Sequence, residues 1–145
     1  MPTCAASPIG GSTVVDPDRV RRLLAVLDRY VLLLRAGADD DLQRRYIVQT
    51  TAQACIDLAG HVIASEGFRT PADYADSFTV LADEGVIDES IAARLRGLAG
   101  MRNLIVHLYA EVDDQRVASE ATAGLDDIDA FARVVASLAA GAPEA

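Results

Sequence analysis

Along almost the whole chain, apolar residues return every three or four positions in runs that aspartate opens and glycine closes. This pattern leaves little room for anything but helices. Asp16-Pro17-Asp18 supplies a capping side chain, a proline at the first helical position and a first-turn acid. Val20, Leu23, Leu24, Leu27, Val31 and Leu34 then follow at helical spacing as far as Gly37. A second start at Asp39 to Asp41 precedes Leu42, Tyr46, Ala52, Ile56, Ala59 and Ile63 and ends around Gly67, so the first two helices are expected to form an antiparallel hairpin. Thr70-Pro71-Ala72-Asp73 reads as a capping box with proline just inside it, opening a short helix through Tyr74, Phe78 and Leu81 that Gly85 terminates. Asp88 begins a central helix. A last helical pattern runs through Val117, Leu125, Ile128, Phe131, Val135 and Leu138, with Gly124 as an expected interruption. Strand alternation, internal repeats and a glycine-rich phosphate loop are all missing from the sequence. The fold class is therefore all-α, a bundle of four to five helices.

A chain of 145 residues with 51% hydrophobic content suits one core rather than two. Residues 1–15, with Pro2, Pro8, Gly10 and Gly11 among small side chains, are expected to form a flexible lead-in. Residues 16–140 form the helical domain, and 141–145 a flexible C-terminal tail. Thirteen basic residues against 22 acidic ones give a net charge of −9, which opposes general attraction to nucleic acid or anionic membranes, so any polyanion must be held locally. Every basic residue is arginine, a planar fork suited to phosphate or carboxylate, although high genomic GC content accounts for the bias equally well. Cys4 lies in the lead-in and Cys55 in an apolar helical pattern, which suggests packing rather than a disulfide framework or a metal cluster. With neither a signal-peptide pattern at Met1 to Val15 nor a membrane-spanning apolar stretch, the expectation is a cytoplasmic protein.

The chemistry concentrates at residues 102 to 109, Arg-Asn-Leu-Ile-Val-His-Leu-Tyr, which set a guanidinium, an imidazole and a phenol at Arg-x4-His-x-Tyr spacing in an apolar run. If the central helix continues, Ile91, Leu95, Leu98, Ile105 and Val112 make one apolar stripe with Arg102 and Tyr109 in its middle. Arg96, Asn103 and His107 fall on another face. A guanidinium in such a stripe requires either a partner carboxylate or a wet cleft. His107 would stand roughly 140° around the axis from Arg102, so helix distortion or a second protomer is needed to bring them together. An Arg and a His that converge on a phosphodiester are equipped for metal-independent RNA cleavage. The imidazole moves protons to and from the 2′-hydroxyl and the leaving oxygen, and the guanidinium stabilises the phosphorane. Two copies of the motif facing across a twofold axis would supply one imidazole as base and one as acid.

Plainer readings stand beside this one. Arg102 could pair with an acid on another helix, His107 could be a hydrogen-bonded core imidazole, and Tyr109 could be an aromatic filler with a wet tip. His61, Tyr30, Tyr46 and Tyr74 are read as helix packing, and Asp39 to Asp41 as a solvated helix start. Asp113, Asp114, Asp126 and Asp127 form no metal-ligand pattern, so neither a metal nor a cofactor is expected.

Tyr74-Ala75-Asp76-Ser77-Phe78 through Leu81, then Gly85-Val86-Ile87-Asp88, then Gly100-Met101-Arg102-Asn103-Leu104-Ile105-Val106-His107-Leu108-Tyr109, resembles the HepT-like branch of the HEPN superfamily over roughly residues 17 to 140. The resemblance implies a HEPN-like helical bundle acting as an RNase toxin, normally a homodimer, paired with a minimal nucleotidyltransferase antitoxin. Carried over by position, Arg102 would stabilise phosphate charge, His107 would transfer protons, Asn103 would orient the site and Tyr109 would be the AMPylation acceptor. The resemblance thus implies RNA as substrate. Two alternatives belong to other classes: a non-catalytic nucleotide-binding or scaffolding partner of a nucleotidyltransferase, which the acidic surface would suit, and a purely structural bundle with Arg102 in a buried ion pair.

Overall fold

The computed structural model describes residues 16–141, which fold into five α-helices and a single 3-10 turn with no strand among them. The expected lead-in, 1–15, and the last four residues of the expected tail lie outside the described residues. The helices are α1 (Pro17–Ala36), α2 (Asp41–Glu66), α3 (Tyr74–Asp83), α4 (Glu89–His107) and α5 (Asp114–Ala140). Each begins on an aspartate whose carboxylate accepts a backbone N–H of the first turn: Asp16, Asp40, Asp73, Asp88 and Asp113. Gly67 (φ 73°) and Gly85 (φ 76°) take left-handed conformations just past α2 and α3, where any other residue would be strained.

The bundle is organised around α2, which packs against α1, α3, α4 and α5. It is buried on most of its circumference, through Val48, Ala52, Cys55, Leu58, Ala59 and Val62 among others, and its alanines allow neighbouring backbones to come close. α1 and α2 form the expected hairpin, and α5 closes the bundle against α1, α2 and α4. Phe78 of α3 meets Phe131 of α5 edge-on, with ring centroids 5.9 Å apart and planes at 79°, and both rings are fully buried. Each such side chain contributes roughly 1.5–3 kcal/mol by leaving water. Cys55 is completely buried, and burial pushes its thiol well above the usual range, so it serves as apolar packing.

The structure corrects the local reading of the sequence at several points. α3 starts at Tyr74 on Asp73 rather than at Pro71 on Thr70. The Asp76 carboxylate draws back both Arg69 (2.7 and 3.0 Å) and the Ala72 N–H (2.8 Å), which folds residues 69–72 across the first turn as a loop. Gly124 does not interrupt α5. It is buried within the helix against the Arg94 stem of α4, whose Cδ would stand 3.4 Å from an added Cβ. Tyr46 and Tyr74, read as packing residues, are exposed at 59% and 42%.

No helix among the described residues is long and apolar enough to cross a membrane, and no group of three metal-ligating side chains is found among them.

Candidate functional site

The last two turns of α4 carry Arg102, Asn103 and His107. Met101 and Ile105 of the same turns are buried in the core, and this sets the rotation of the helix and leaves Asn103 and His107 exposed. Arg102 is half-buried. Its Nε donates to Gln53 Oε1 of α2 (3.1 Å), one terminal nitrogen donates to Asn103 Oδ1 (3.0 Å), and the guanidinium carbon lies 5.2 Å from the centre of the Tyr74 ring. Gln53 in turn donates through Nε2 to Asp57 Oδ1 (2.9 Å), which keeps its amide oxygen towards Arg102.

Among the described residues no carboxylate comes within ion-pairing distance of Arg102, although the chain carries 22 acids. Of the two options left open by the sequence, the partner carboxylate is thus replaced by an amide, an amide-bearing neighbour and an aromatic face. These orient the guanidinium without neutralising it, so it retains capacity for an anion. The buried ion pair of the purely structural alternative is not found among the described residues.

His107 is the last residue of α4, exposed and without a side-chain hydrogen bond among the described residues. Because α4 stays regular to this point, Arg102 and His107 remain roughly 140° apart around its axis. A single chain does not bring them together.

Tyr109 departs from the expected placement. α4 does not continue through it: Leu108 leaves the helical region (φ −127°, ψ 43°) and Tyr109–Glu111 form the 3-10 turn, so neither Tyr109 nor Val112 shares a helical face with Arg102. The reason lies in α2. The Arg45 guanidinium binds the Asp114 carboxylate through two parallel bonds (2.7 and 2.8 Å) and donates a third to the carbonyl of Tyr109 (3.1 Å). One side chain thereby ties α2 to the turn and to the start of α5. The Tyr109 side chain projects outward, 70% exposed.

Arg45 is the site residue that sequence reasoning misses. Its neighbour Arg44 finds an acid one turn back, Asp41, whereas the partners of Arg45 lie 64 and 69 residues away. No local pattern announces such a pairing. The four aspartates that offered no metal pattern have structural roles instead: Asp113 caps α5, Asp114 pairs with Arg45, Asp126 with Arg35 and Asp127 with Arg94.

Comparison with known proteins places this geometry in context. Residues 38–135 match the family described as ribonuclease HepT-like. The chain is similar to an mRNA nuclease HepT from Shewanella oneidensis, 32% identical over 88 residues, which are 61% of this chain and 66% of that protein, just under two thirds of its length. Among solved structures it is similar to a tri-AMPylated HEPN toxin of the same organism in complex with an MNT antitoxin (TM-score 0.74, 25% identity, 83% of this chain and 98% of that one). It also shares its fold with YutE, a cytosolic protein of unknown function from Bacillus subtilis (TM-score 0.79, 21% identity, 86% and 90%).

The Arg45 clamp has a defined pH dependence. The hydrogen bonds from Arg45 hold the Asp114 carboxyl below its ordinary value of 3.8. The stabilisation is therefore complete above the ordinary aspartate range and is lost as pH falls through the lower, folded-state value. Arg45→Gln should lower the melting temperature at neutral pH and speed amide exchange at residues 108–114. The difference from the parent chain should shrink below pH of about 4. A constant difference down to the acid limit would show that the clamp contributes nothing through its charge.

Proposed function

This chain belongs to the ribonuclease HepT-like family, and on that premise we propose that it is a metal-independent endoribonuclease, the toxin of a toxin–antitoxin pair whose antitoxin is a minimal nucleotidyltransferase. The observation that carries the reading is Arg102, a half-buried guanidinium held by Gln53, Asn103 and Tyr74 with no carboxylate among the described residues to neutralise it in a chain of net charge −9. A cation kept oriented and unpaired among so many acids fits an anion that arrives from outside. Similarity to an mRNA nuclease supports an RNA phosphate as that anion.

In the proposed reaction the 2′-oxygen of RNA attacks the adjacent phosphorus and the bond to the 5′-oxygen breaks, leaving a 2′,3′-cyclic phosphate and a 5′-hydroxyl. One imidazole accepts the 2′-hydroxyl proton, another donates a proton to the leaving oxygen, and Arg102 stabilises the phosphorane. The exposed His107, far around α4 from Arg102, supports a homodimer in which the motifs of the two chains face one cleft and each supplies a histidine. Light scattering should give twice the chain mass at working concentration; a strict monomer would exclude this arrangement.

His107→Ala should reduce cleavage by about 10²–10⁴-fold with an unchanged fold, the usual size of a lost general acid–base group. Cleavage by the parent chain should persist in chelator and disappear on 2′-deoxy substitution. Full activity of His107→Ala would refute the assignment.

Control is assigned to Tyr109. Its phenolic oxygen would attack the α-phosphorus of ATP on the partner enzyme, releasing pyrophosphate and the phenolic proton and leaving an AMP diester. The outward placement of the side chain, the clamped backbone behind it and similarity to an AMPylated toxin in complex with an MNT antitoxin support this choice. The added phosphate would compete with RNA for the cationic site and the adenosine would crowd its approach. The acidic surface, which suits a basic antitoxin better than RNA at large, favours the same partnership. Intact-mass measurement after incubation with the cognate nucleotidyltransferase and ATP should find AMP on the parent chain and none on Tyr109→Phe. Equal adducts on both would place the acceptor elsewhere.

A further inference from the structure

A cavity of about 610 Å³ opens between α1, α2 and the start of α3, lined by Arg19, Asp57, His61, Tyr74 and Ser77 among others. Its size falls within the range of about 300–1,000 Å³ usual for small-ligand sites. It is joined to Arg102 by two routes. Tyr74 both lines the cavity and carries the Arg102 guanidinium against its ring, and Gln53 bridges Arg102 to Asp57 in the cavity wall. The cavity therefore begins one side chain away from the proposed phosphate-binding cation.

The polar groups inside it are incompletely used. Ser77 is only 4% exposed, yet its hydroxyl has no hydrogen-bond partner among the described residues, a condition that folded chains rarely leave unrelieved. Asp57 gives one oxygen to Gln53 and its other oxygen has no protein donor among the described residues. Among the described residues, eight of the thirteen arginines pair with a carboxylate. Arg19 on the cavity wall and Arg102 beside it are both among the remaining ones. His61 is already committed, since its Nε2 accepts the N–H of Asp16 (2.8 Å) and so holds the start of α1 to the cavity wall.

An aromatic face, a carboxylate oxygen that only accepts, a buried hydroxyl that can donate or accept, and a cation at each side form a set that matches one nucleotide of a strand. We infer that this cavity seats the nucleobase next to the scissile phosphate, and that it prefers a base with an exocyclic amino group. The inference rests on the proposed RNase reading and adds a specificity subsite to it. The base would stack on the exposed part of Tyr74 and donate its amino hydrogen to the free oxygen of Asp57. The hydroxyl of Ser77 would meet a ring nitrogen or carbonyl, and the neighbouring phosphate would reach Arg19. Uracil, with a carbonyl where cytosine has its amino group, would leave Asp57 facing another acceptor.

The test uses the full chain with short RNA oligonucleotides that differ only in the base beside the cleavage site. Both cleavage and fluorescence-anisotropy binding are followed for the parent, Asp57→Asn and Arg19→Gln, with circular dichroism as the check of fold. The parent should favour amino-bearing bases over uracil. Asp57→Asn should reduce that preference by about 5- to 100-fold, the discrimination usually carried by one good base contact. Arg19→Gln should raise KM with kcat unchanged, as expected for a contact made equally in ground and transition states. Cleavage by the parent with the same base preference and the same KM in both folded variants would overturn the subsite and leave the nuclease reading intact. Base-selective binding that Asp57→Asn relaxes, without cleavage by the parent, would support the subsite and overturn the nuclease reading. Neither selective binding nor cleavage would overturn both.

Discussion

The burial of α2 is the constraint on which the rest of the molecule depends. A helix apolar on most of its circumference must be covered on most of it, and four other helices arrange themselves to do so. Because α2 sits at the centre, several of the polar residues that it carries face the seams between helices. Arg45 near its start reaches the turn after α4 and the start of α5, Gln53 in its middle reaches Arg102, and Asp57 and His61 further on line the cavity below α1 and α3. A single rigid element thus sets the spacing of the clamp, the cation and the cavity, a firmer basis for a site than loops would offer.

Electrostatics then determine what such a site is suited to. The chain has far more acids than bases, and the acids are largely spent on helix starts and on arginines: five cap helices, and others hold Arg35, Arg45, Arg69 and Arg94 in place. Arg102 is treated differently. Its hydrogen bonds go to neutral amide oxygens and its flat face to an aromatic ring, so direction is imposed while charge is left available. Local holding of an anion is compatible with a net charge that repels nucleic acid at a distance, and under the proposed function it favours selection of particular RNA features over capture of RNA at large.

Membership of the ribonuclease HepT-like family and the all-α bundle were both legible in the residues, the first through the run from Gly100 to Tyr109 and the second through helical periodicity with aspartate starts. Each misreading traces to a particular contact. Thr70-Pro71 satisfies the usual signature of a helix start, yet Arg69 and Asp76 close a loop over it. Gly124 looks like a break but accommodates a neighbouring side chain. Tyr74 has the spacing of a core residue and instead becomes the face on which Arg102 rests. At Gly124 and Tyr74 the deciding partners, Arg94 and Arg102, lie far away in sequence, whereas at Thr70 the competing contact is close by and the Asp73 cap prevails.

What the sequence determined unaided was the set of helices and the polar residue types near the end of α4, because caps and apolar periodicity act through bonds spanning three or four residues. Where α4 stops was decided by tertiary structure. Nothing between Leu104 and Val112 requires the helix to end at His107, and the turn that carries Tyr109 is held by an arginine 64 residues earlier in the chain. The environment of Arg102 was likewise beyond local reading, since Gln53 lies 49 residues before it and Tyr74 belongs to another helix. Helix formation is governed by neighbours in sequence, whereas the placement and charge state of a functional group are governed by neighbours in space, and only packing around α2 brings those together.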